Sequence, residues 1–175
     1  MYLVDRNGNL KFFNHQQNLI VTINLKGLDI QLATSEERDW TAGLIAGSEP
    51  WIALGTSLEQ CRKVCRHPEY LLFVAHFQGT CSGSIILHPL GLASSPYIKS
   101  VVVSDAFRGR GIGASLIAFA ENYFRKDSKH IFLCASSFNT RARTFYERLG
   151  YNPVGEFKDY VIEGESEMLY HKRLR

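Results

Sequence analysis

The sequence predicts a mixed α/β fold, in which a mixed and mostly antiparallel sheet carries helices on both faces, behind a β-rich N-terminal extension. Two observations predict this architecture. Apolar runs with strand and helix periodicity follow one another in the order β-α-α-β-β-β-α-β-α-β-β. Three of these strands succeed one another directly and should pair antiparallel, whereas the later strand-helix-strand units should give parallel pairs.

Length and composition indicate one domain of a globular protein. The chain has 175 residues, which is enough to bury a core without disulfides or a metal. Hydrophobic residues make up 45% and charged residues 21%, and the net charge of +3 is spread along the chain. This charge does not favour a nucleic-acid partner, although it would suit a small anionic ligand. We expect an extension over residues 1–27 and the main domain over residues 28–175.

The N-terminal extension is rich in predicted strands. Asn7-Gly8 lies between two apolar runs and is a strong hairpin signal. A second extended run, L-I-V-T-I-N-L, ends at Lys26-Gly27. Because such apolar strands need cover, we expect the extension to pack on the edge of the sheet or against the partner in a homodimer.

The first half of the main domain combines two helices with four strands. Alternation over residues 28–33 predicts a strand, after which Thr34 or Ser35 caps a helix. Ser57 begins a second, shorter helix that ends before Pro68. The sequence then predicts a strand over residues 70–77, a turn at Gln78-Gly79 and a second strand over 81–88. A loop over 89–96 leads to a third strand over 97–104.

The second half alternates helices and strands. A helix follows the glycines near residue 111, a strand covers 130–136, and a second helix begins at Asn139. Gly150 is placed to end that helix in a left-handed conformation. Two strands near residues 151–157 and 166–173 complete the chain.

Several protein classes are disfavoured by the sequence. No apolar run approaches about 18 residues, so we expect no membrane span, and the N-terminus does not resemble a secretory signal. The four cysteines form no C-x-x-C pair. Cys61, Cys65 and His67 are close in sequence but lack the usual paired spacing of a zinc site. We therefore expect reduced thiols, no metal and a cytoplasmic protein.

A glycine-rich junction joins a β-branched strand to a helix. Three glycines, two arginines and one isoleucine occupy six consecutive positions, Arg108, Gly109, Arg110, Gly111, Ile112 and Gly113. The start of a helix presents free N–H groups and a positive dipole end, and glycine lets the backbone approach a ligand closely. Arginines add charge that pairs with phosphate oxygens. The sequence therefore predicts a phosphate site, with a plain turn and solvated arginines as the alternative.

Two common phosphate-binding motifs fit this junction poorly. The chain contains no G-x-x-x-x-G-K-[ST] string. Gly109-x-Gly111-x-x-Ala114 matches G-x-G-x-x-A, the pattern of nicotinamide-binding sites. However, the next strand ends without an acidic residue, the preceding strands form an antiparallel run, and too few residues follow for two nucleotide-binding halves.

The junction R-G-R-G-I-G resembles R/Q-x-x-G-x-G, the pyrophosphate loop of the GNAT superfamily of acyl-CoA N-acyltransferases. Downstream, F-N-T-R-A-R-T-F-Y-E-R-L-G-Y is similar to the second motif of that superfamily. The two motifs occur in the right order and spacing, and the resemblance covers residues 28–174. It implies a mostly antiparallel central sheet with one splayed parallel strand pair, which is the GNAT fold.

The resemblance also implies a set of site residues. Acetyl-CoA would be the co-substrate, with its pyrophosphate on the backbone of Gly109 to Gly113 and its pantetheine arm beside the strand Val101, Val102 and Val103. Asn139 would contact the same cofactor, with a helix N-cap as the alternative role. Tyr146 would donate a proton to the departing thiolate, with a core aromatic as the alternative. Arg141 and Arg143 would reach the 3′-phosphate or lie in solvent.

The implied function is an N-acetyltransferase in which a primary amine attacks the thioester directly. The acceptor would be a small-molecule or protein amine, and its choice would lie around residues 40–57 and 155–165. A non-catalytic acyl-CoA-binding sensor or regulatory module is the alternative. The general base is not identified, and its candidates are His88, Tyr97, Asp159, Tyr160 and Glu163.

Overall fold

The computed structural model describes the backbone of residues 2–4, 9–13, 19–24 and 27–174, and the side chains of residues 27–174. Near the N-terminus, β1 (Tyr2–Val4), β2 (Asn9–Phe13) and β3 (Leu19–Asn24) form a three-stranded antiparallel sheet. The strands on either side of the predicted hairpin thus pair as expected, while the Asn7-Gly8 turn lies outside the described residues. Packing of the extension on the main sheet or on a homodimer partner stays a prediction.

The main domain is built on one seven-stranded sheet with the order β4-β5-β6-β7-β8-β10-β9. Its strands are β4 (Leu28–Leu32), β5 (Leu71–Phe77), β6 (Thr80–Leu92), β7 (Ser95–Val103), β8 (His130–Ser136), β9 (Asn152–Lys158) and β10 (Ser166–Arg173). Every neighbouring pair is antiparallel except β7 and β8, which are parallel. The mixed, mostly antiparallel sheet is therefore confirmed.

Four helices of the described part of the chain cover the two faces of this sheet. They are α1 (Ser35–Ala46), α2 (Leu58–Cys65), α3 (Ile112–Phe124) and α4 (Thr140–Arg148). Thr34 caps α1, and its side chain and that of Glu37 satisfy each other's backbone N–H groups in a capping box. Of the described helices, none is both long and apolar enough to cross a membrane.

Side chains alternate between two buried clusters, one on each face of the sheet. The larger cluster lies under α3 and includes Ile85, Leu87, Leu116, Ile117, Ile131 and Leu133. The smaller cluster lies under α1 and α2 and includes Ala42, Ile45, Cys61, Cys65, Leu72, Val74 and Ile86. Neighbouring residues of β6, Ile85 and Ile86, serve opposite clusters because successive strand side chains point to opposite faces.

The prediction of a loop over residues 89–96 is wrong. β6 continues to Leu92, and a two-residue turn at Ala93 and Ser94, with φ angles of 48° and 57°, leads directly into β7. β5 pairs with β6 only as far as Leu87, so the rest of β6 is an edge. Pro89 is tolerated there because an edge residue does not need a ladder N–H on its free side.

A β-bulge at Lys99 divides β7 into two parts. Leu87 pairs with Ile98 and Ile86 with Ser100, so Lys99 has no opposite residue on β6. Such a bulge bends a strand and increases its twist. The parallel pairing of β7 with β8 also stops here, because its last pair is Ile98 with Leu133. The two strands then part, which is the splayed pair expected from the resemblance.

A buried ion pair ties α3 to β10 beside the end of α4. Lys172 Nζ lies 2.8 Å from both carboxylate oxygens of Glu121 and 2.7 Å from the Leu149 carbonyl oxygen. The Glu121 side chain is only 3% exposed. Burial raises the pKa of Glu121, although the Lys172 ammonium acts in the opposite direction. Loss of the ammonium would leave a buried carboxylate without its ion-pair partner.

We expect Lys172→Met to lower the free energy of unfolding by about 3 kcal/mol at neutral pH. Removing Lys172 raises the folded-state pKa of Glu121 further above its unfolded value, so the deficit should shrink as the pH falls toward about 4. Urea unfolding at several pH values measures both effects. Lys158→Met is the matched control, because Lys158 lies 3.6 Å from Glu156 in an exposed pair. Equal stability of both variants would contradict the prediction.

Candidate active site

The parting of β7 and β8 opens into a cavity of about 1160 Å³. All the site residues predicted from the sequence line it, namely Val101, Val102, Val103, Arg108, Gly109, Arg110, Gly111, Ile112, Gly113, Asn139 and Tyr146. The strand, the glycine loop and α4 are separated in sequence but adjacent around this cavity. The structure therefore brings the predicted residues together.

The glycine loop delivers the start of α3 to this cavity. A short 3₁₀ turn over Asp105–Phe107 leaves β7, and Gly109 and Gly111 then adopt φ angles of +77° and +82°. These left-handed angles suit glycine and strain other residues. Gly111 is the N-cap of α3 and has no side chain that could cap the helix.

The first N–H groups of α3 are left without acceptors. The first helical bond runs from the Ser115 N–H to the Gly111 carbonyl, at 3.0 Å. The N–H groups of residues 112–114 therefore have no intrahelical partner, and no described side chain caps them. Together with the positive end of the helix dipole, they form a backbone site for an anion.

The two arginines of the loop have different surroundings. Arg108 Nη2 lies 2.7 Å from Asp105 Oδ1, and Arg108 Nε donates to the Val103 carbonyl oxygen at 3.3 Å. This side chain therefore fixes the loop against the end of β7. The Arg110 guanidinium lies 5.7 Å and 5.8 Å from the ring centres of Phe77 and Phe107. Arg110 is exposed at the cavity wall, where it can meet an anion while its guanidinium rests near these rings.

The edge of β7 that faces β8 has no strand partner beyond Ile98 within the described residues. Val101 and Val103 pack toward the α3 cluster, and Val102 packs toward the α1 and α2 cluster. The side chains thus anchor the strand on both faces while its backbone edge borders the cavity. An extended ligand with amide groups can pair with such an edge as an added strand does.

Asn139 combines the two roles that the sequence left open. Its carboxamide oxygen accepts the Ala142 N–H at 3.1 Å and so caps α4, while the residue also lines the cavity. Arg143 donates to the Ser137 carbonyl oxygen and to the Tyr170 hydroxyl, at 3.1 Å and 3.3 Å. Those bonds tie Arg143 to the fold, so it is not a free phosphate ligand. Arg141 is exposed and lines the cavity.

Tyr146 is a packed aromatic residue that also reaches the cavity. Its ring contacts those of Phe145, Tyr151 and Tyr170. No hydrogen bond joins its hydroxyl group to another described residue. Burial raises the pKa of Tyr146 to about 12, so the phenol is protonated at neutral pH. The hydroxyl is therefore available as a proton donor to a bound group.

The structure separates the five candidates for the general base. His88, Tyr97 and Tyr160 line the cavity, whereas Asp159 and Glu163 do not. Asp159 instead accepts the Gly164 N–H at 2.7 Å in the connection between β9 and β10. Burial raises the pKa of Tyr97 well above its usual range, which makes it a poor base.

Glu167 is a cavity residue that the sequence interpretation missed. It lies on β10 opposite Ser136 of β8, and the Ser136 hydroxyl donates to Glu167 Oε1 at 2.5 Å. Its neighbours on the cavity wall include Tyr97, Cys134 and Leu169. Glu165 accepts a similar bond from Ser137 but does not line the cavity. The sequence shows only an acidic residue inside a predicted strand. Its spacing from the glycine loop does not indicate that the two lie close together.

Comparison with known proteins assigns the family. The sequence profile of the acetyltransferase (GNAT) family matches residues 32–151. This range covers most of the chain and both predicted motifs, so the chain belongs to the acetyltransferase (GNAT) family. The family and the enzyme class predicted from the sequence are thereby confirmed.

One curated relative is an uncharacterised N-acetyltransferase of Methanocaldococcus jannaschii, which is 34% identical over 79 residues. The match covers 44% of this chain and 51% of the relative. The chain thus spans about half the length of the curated relative that it matches.

Solved structures share the fold at low sequence identity. A protein of Desulfovibrio desulfuricans assigned to the GNAT family has a TM-score of 0.72 at 15% identity, over 85% of this chain and 99% of that one. An aminoglycoside 6′-N-acetyltransferase complexed with coenzyme A has a TM-score of 0.67 at 19% identity, over 84% of this chain and 97% of that one. The ribosomal-protein-S18-alanine N-acetyltransferase of Escherichia coli also has a TM-score of 0.67, at 15% identity over 84% of this chain and 94% of that one. These similarities confirm the predicted fold.

Proposed function

We propose that the chain transfers an acetyl group from acetyl-CoA to a primary amine. One observation carries this proposal: an anion site at the start of α3, an unpaired strand edge, a protonated phenol and a carboxylate all border one cavity. The first two features suit a long phosphorylated thioester, and the last two suit proton transfer. A structural neighbour that is complexed with coenzyme A supports the same class of co-substrate.

The coenzyme half of the proposal follows from the polar groups of the backbone. The pyrophosphate would accept hydrogen bonds from backbone N–H groups of the loop from Gly109 to Gly113, including those left free at the start of α3, and Arg110 would add charge at its exposed side. The pantetheine amides would pair with the open edge of β7 along Val101, Val102 and Val103. Asn139, which caps α4, would border the same arm through its amide N–H₂ group.

The chemistry requires a neutral amine, stabilisation of the tetrahedral oxyanion and protonation of the leaving thiolate. A new N–C bond forms as the nitrogen attacks the thioester carbonyl, and the C–S bond then breaks. Tyr146 would give its phenolic proton to the departing sulfur, since burial keeps that proton in place at neutral pH. A backbone N–H near Val103 would donate to the oxyanion.

Glu167 would receive the proton of the attacking amine, directly or through water. The Ser136 hydroxyl holds one carboxylate oxygen, which leaves the other oxygen for an ammonium group or a water molecule. A carboxylate also attracts the cationic form of a primary amine before it loses its proton. Glu167 thus serves both recognition and deprotonation of the acceptor.

We assign the acceptor to the aromatic part of the cavity. Its wall includes Trp51, Tyr70, His88, Phe157 and Tyr160. Such a surface suits an amine carried on an apolar or flat body rather than a heavily charged one. The structural neighbours include enzymes for an aminoglycoside and for the alanine of a ribosomal protein, so small-molecule and protein amines are both candidate acceptors.

Replacement of Gly111 tests the anion site. We expect Gly111→Ala to weaken coenzyme A binding at least about tenfold, because alanine at a φ of +82° strains the loop by roughly 1 kcal/mol or more and displaces its N–H groups. Gly79→Ala is the matched control, since Gly79 has a φ of +79° and open space but lies outside the cavity. Calorimetric titration with coenzyme A distinguishes them. Equal affinity of the two variants would remove the loop from the site.

Tyr146→Phe tests the proton donor and the catalytic role of the site together. We expect the turnover number to fall on the order of a hundredfold while coenzyme A affinity changes little, because the hydroxyl acts only on the leaving thiolate. Free-thiol release from acetyl-CoA with a panel of primary amines measures the rate. If the wild-type protein binds acetyl-CoA but no amine in the panel releases thiol, the sensor module becomes the better explanation.

Glu167→Gln tests the carboxylate on the acceptor side. We expect kcat/KM for the amine to fall by about ten- to a hundredfold, with coenzyme A binding unchanged. Glu165→Gln is the matched control, because Glu165 accepts a hydrogen bond from Ser137 but does not line the cavity. A similar loss in both variants would assign Glu167 a role in the fold and not in the reaction.

A further inference from the structure

Three side chains that can ligate a metal converge away from the active-site cavity. Glu37 lies in α1, His76 near the end of β5 and Cys81 near the start of β6. His76 Nε2 lies 2.7 Å from Glu37 Oε1 and 3.5 Å from Cys81 Sγ. Cys81 Sγ lies 4.0 Å from Glu37 Oε1. None of these residues lines the active-site cavity.

The spacing of the three atoms is close to that of a tetrahedral zinc site. Zn–N and Zn–O bonds of about 2.1 Å and a Zn–S bond of about 2.3 Å place the ligand atoms roughly 3.4–3.6 Å apart. The sulfur-to-nitrogen distance of 3.5 Å already fits this range. The sulfur-to-oxygen distance of 4.0 Å must shorten and the nitrogen-to-oxygen distance of 2.7 Å must lengthen, each by less than about 1 Å.

The cluster is largely shielded from solvent, and one of its ligands is oriented by the backbone. The side chains of His76 and Glu37 are each only 14% exposed. His76 presents Nε2 to the other two ligand atoms, and its Nδ1 is buried without a hydrogen-bond partner. The second carboxylate oxygen of Glu37 accepts the Thr34 N–H at 2.8 Å, which orients the group as an outer partner orients a metal ligand.

We propose that Glu37, His76 and Cys81 bind one zinc-class divalent ion, with a water molecule as the fourth ligand. A mixed set of sulfur, nitrogen and oxygen ligands suits Zn²⁺ better than Mg²⁺ or Ca²⁺, which bind oxygen. Cys81 binds as the thiolate, so its proton is released to solvent when the ion enters. The chain shows no zinc-type spacing at these positions because the ligands come from a helix and two strands.

The ion would tie α1 to the end of the sheet that carries the glycine loop. Ser82 follows Cys81, and its carbonyl oxygen accepts the Ser104 N–H at 2.9 Å, directly before the loop. Phe77 follows His76, and its ring lies 6.2 Å from that of Phe107 in the loop. Binding to the folded state alone would therefore stabilise the protein and raise its melting temperature.

Metal titration of the full chain tests the proposal. The protein is treated with a chelator and kept reduced with a phosphine, and Zn²⁺ is added in competition with a chromophoric chelator. We expect one tightly bound equivalent and a higher melting temperature. Co²⁺ in place of Zn²⁺ should give a thiolate-to-metal charge-transfer band, which reports directly on a cysteine ligand. Absence of binding would overturn the proposal and leave a Glu37–His76 hydrogen bond beside a thiol.

Two variants locate the ion. Cys81→Ser should weaken Zn²⁺ binding more than about a hundredfold and abolish the charge-transfer band. Cys134→Ser is the matched control, because Cys134 is also a half-buried strand cysteine. If Cys134→Ser loses the band and Cys81→Ser keeps it, the proposal is wrong.

A surface pair of histidines is the rival zinc site. His130 Nδ1 lies 2.9 Å from His171 Nε2, and both side chains lie on neighbouring strands. His171→Asn removes this pair and should leave the tight equivalent and the thiolate band unchanged. Loss of tight binding in His171→Asn, with Cys81→Ser unaffected, would assign the ion to the histidine pair and overturn the proposal.

Discussion

The separation of β7 from β8 after Ile98 is the constraint on which the rest of the active site depends. The bulge at Lys99 bends β7 away from its parallel neighbour, and the backbone groups beyond it lose a strand partner. Buried backbone N–H and C=O groups need partners, so this edge must meet water or a ligand. The same bend aims the end of β7, and therefore the start of α3, into the gap.

Reactive side chains reach this gap from both of its sides. Tyr146 comes from α4, which follows β8, and Glu167 comes from β10, the other neighbour of β8. The two groups meet opposite needs, because a phenol that burial keeps protonated can supply a proton and a carboxylate can accept one. One strand, β8, thus separates the element that would serve the leaving thiolate from the element that would serve the amine in the proposed reaction.

Much of the fold could be predicted because its signals are local. Thr34, one of the two predicted cap residues, caps α1, Ser57 caps α2 at its predicted start, and Gly150 adopts the expected left-handed angle. The loop over residues 89–96 was mispredicted because prolines suggest a break, although they are tolerated on an edge. Whether a segment lies at an edge depends on where β5 ends, which the segment itself does not encode.

The family, the order of the elements and the glycine loop follow from the chain alone, since each rests on residues that are close together in sequence. The meeting of distant side chains is instead a property of the packed fold. Glu167 reaches the cavity through its register with Ser136, and Glu37 meets His76 across 39 positions. Register and helix placement are set by the packing of whole faces on a common core. For this reason, the spacing of residues in the chain does not reveal such contacts.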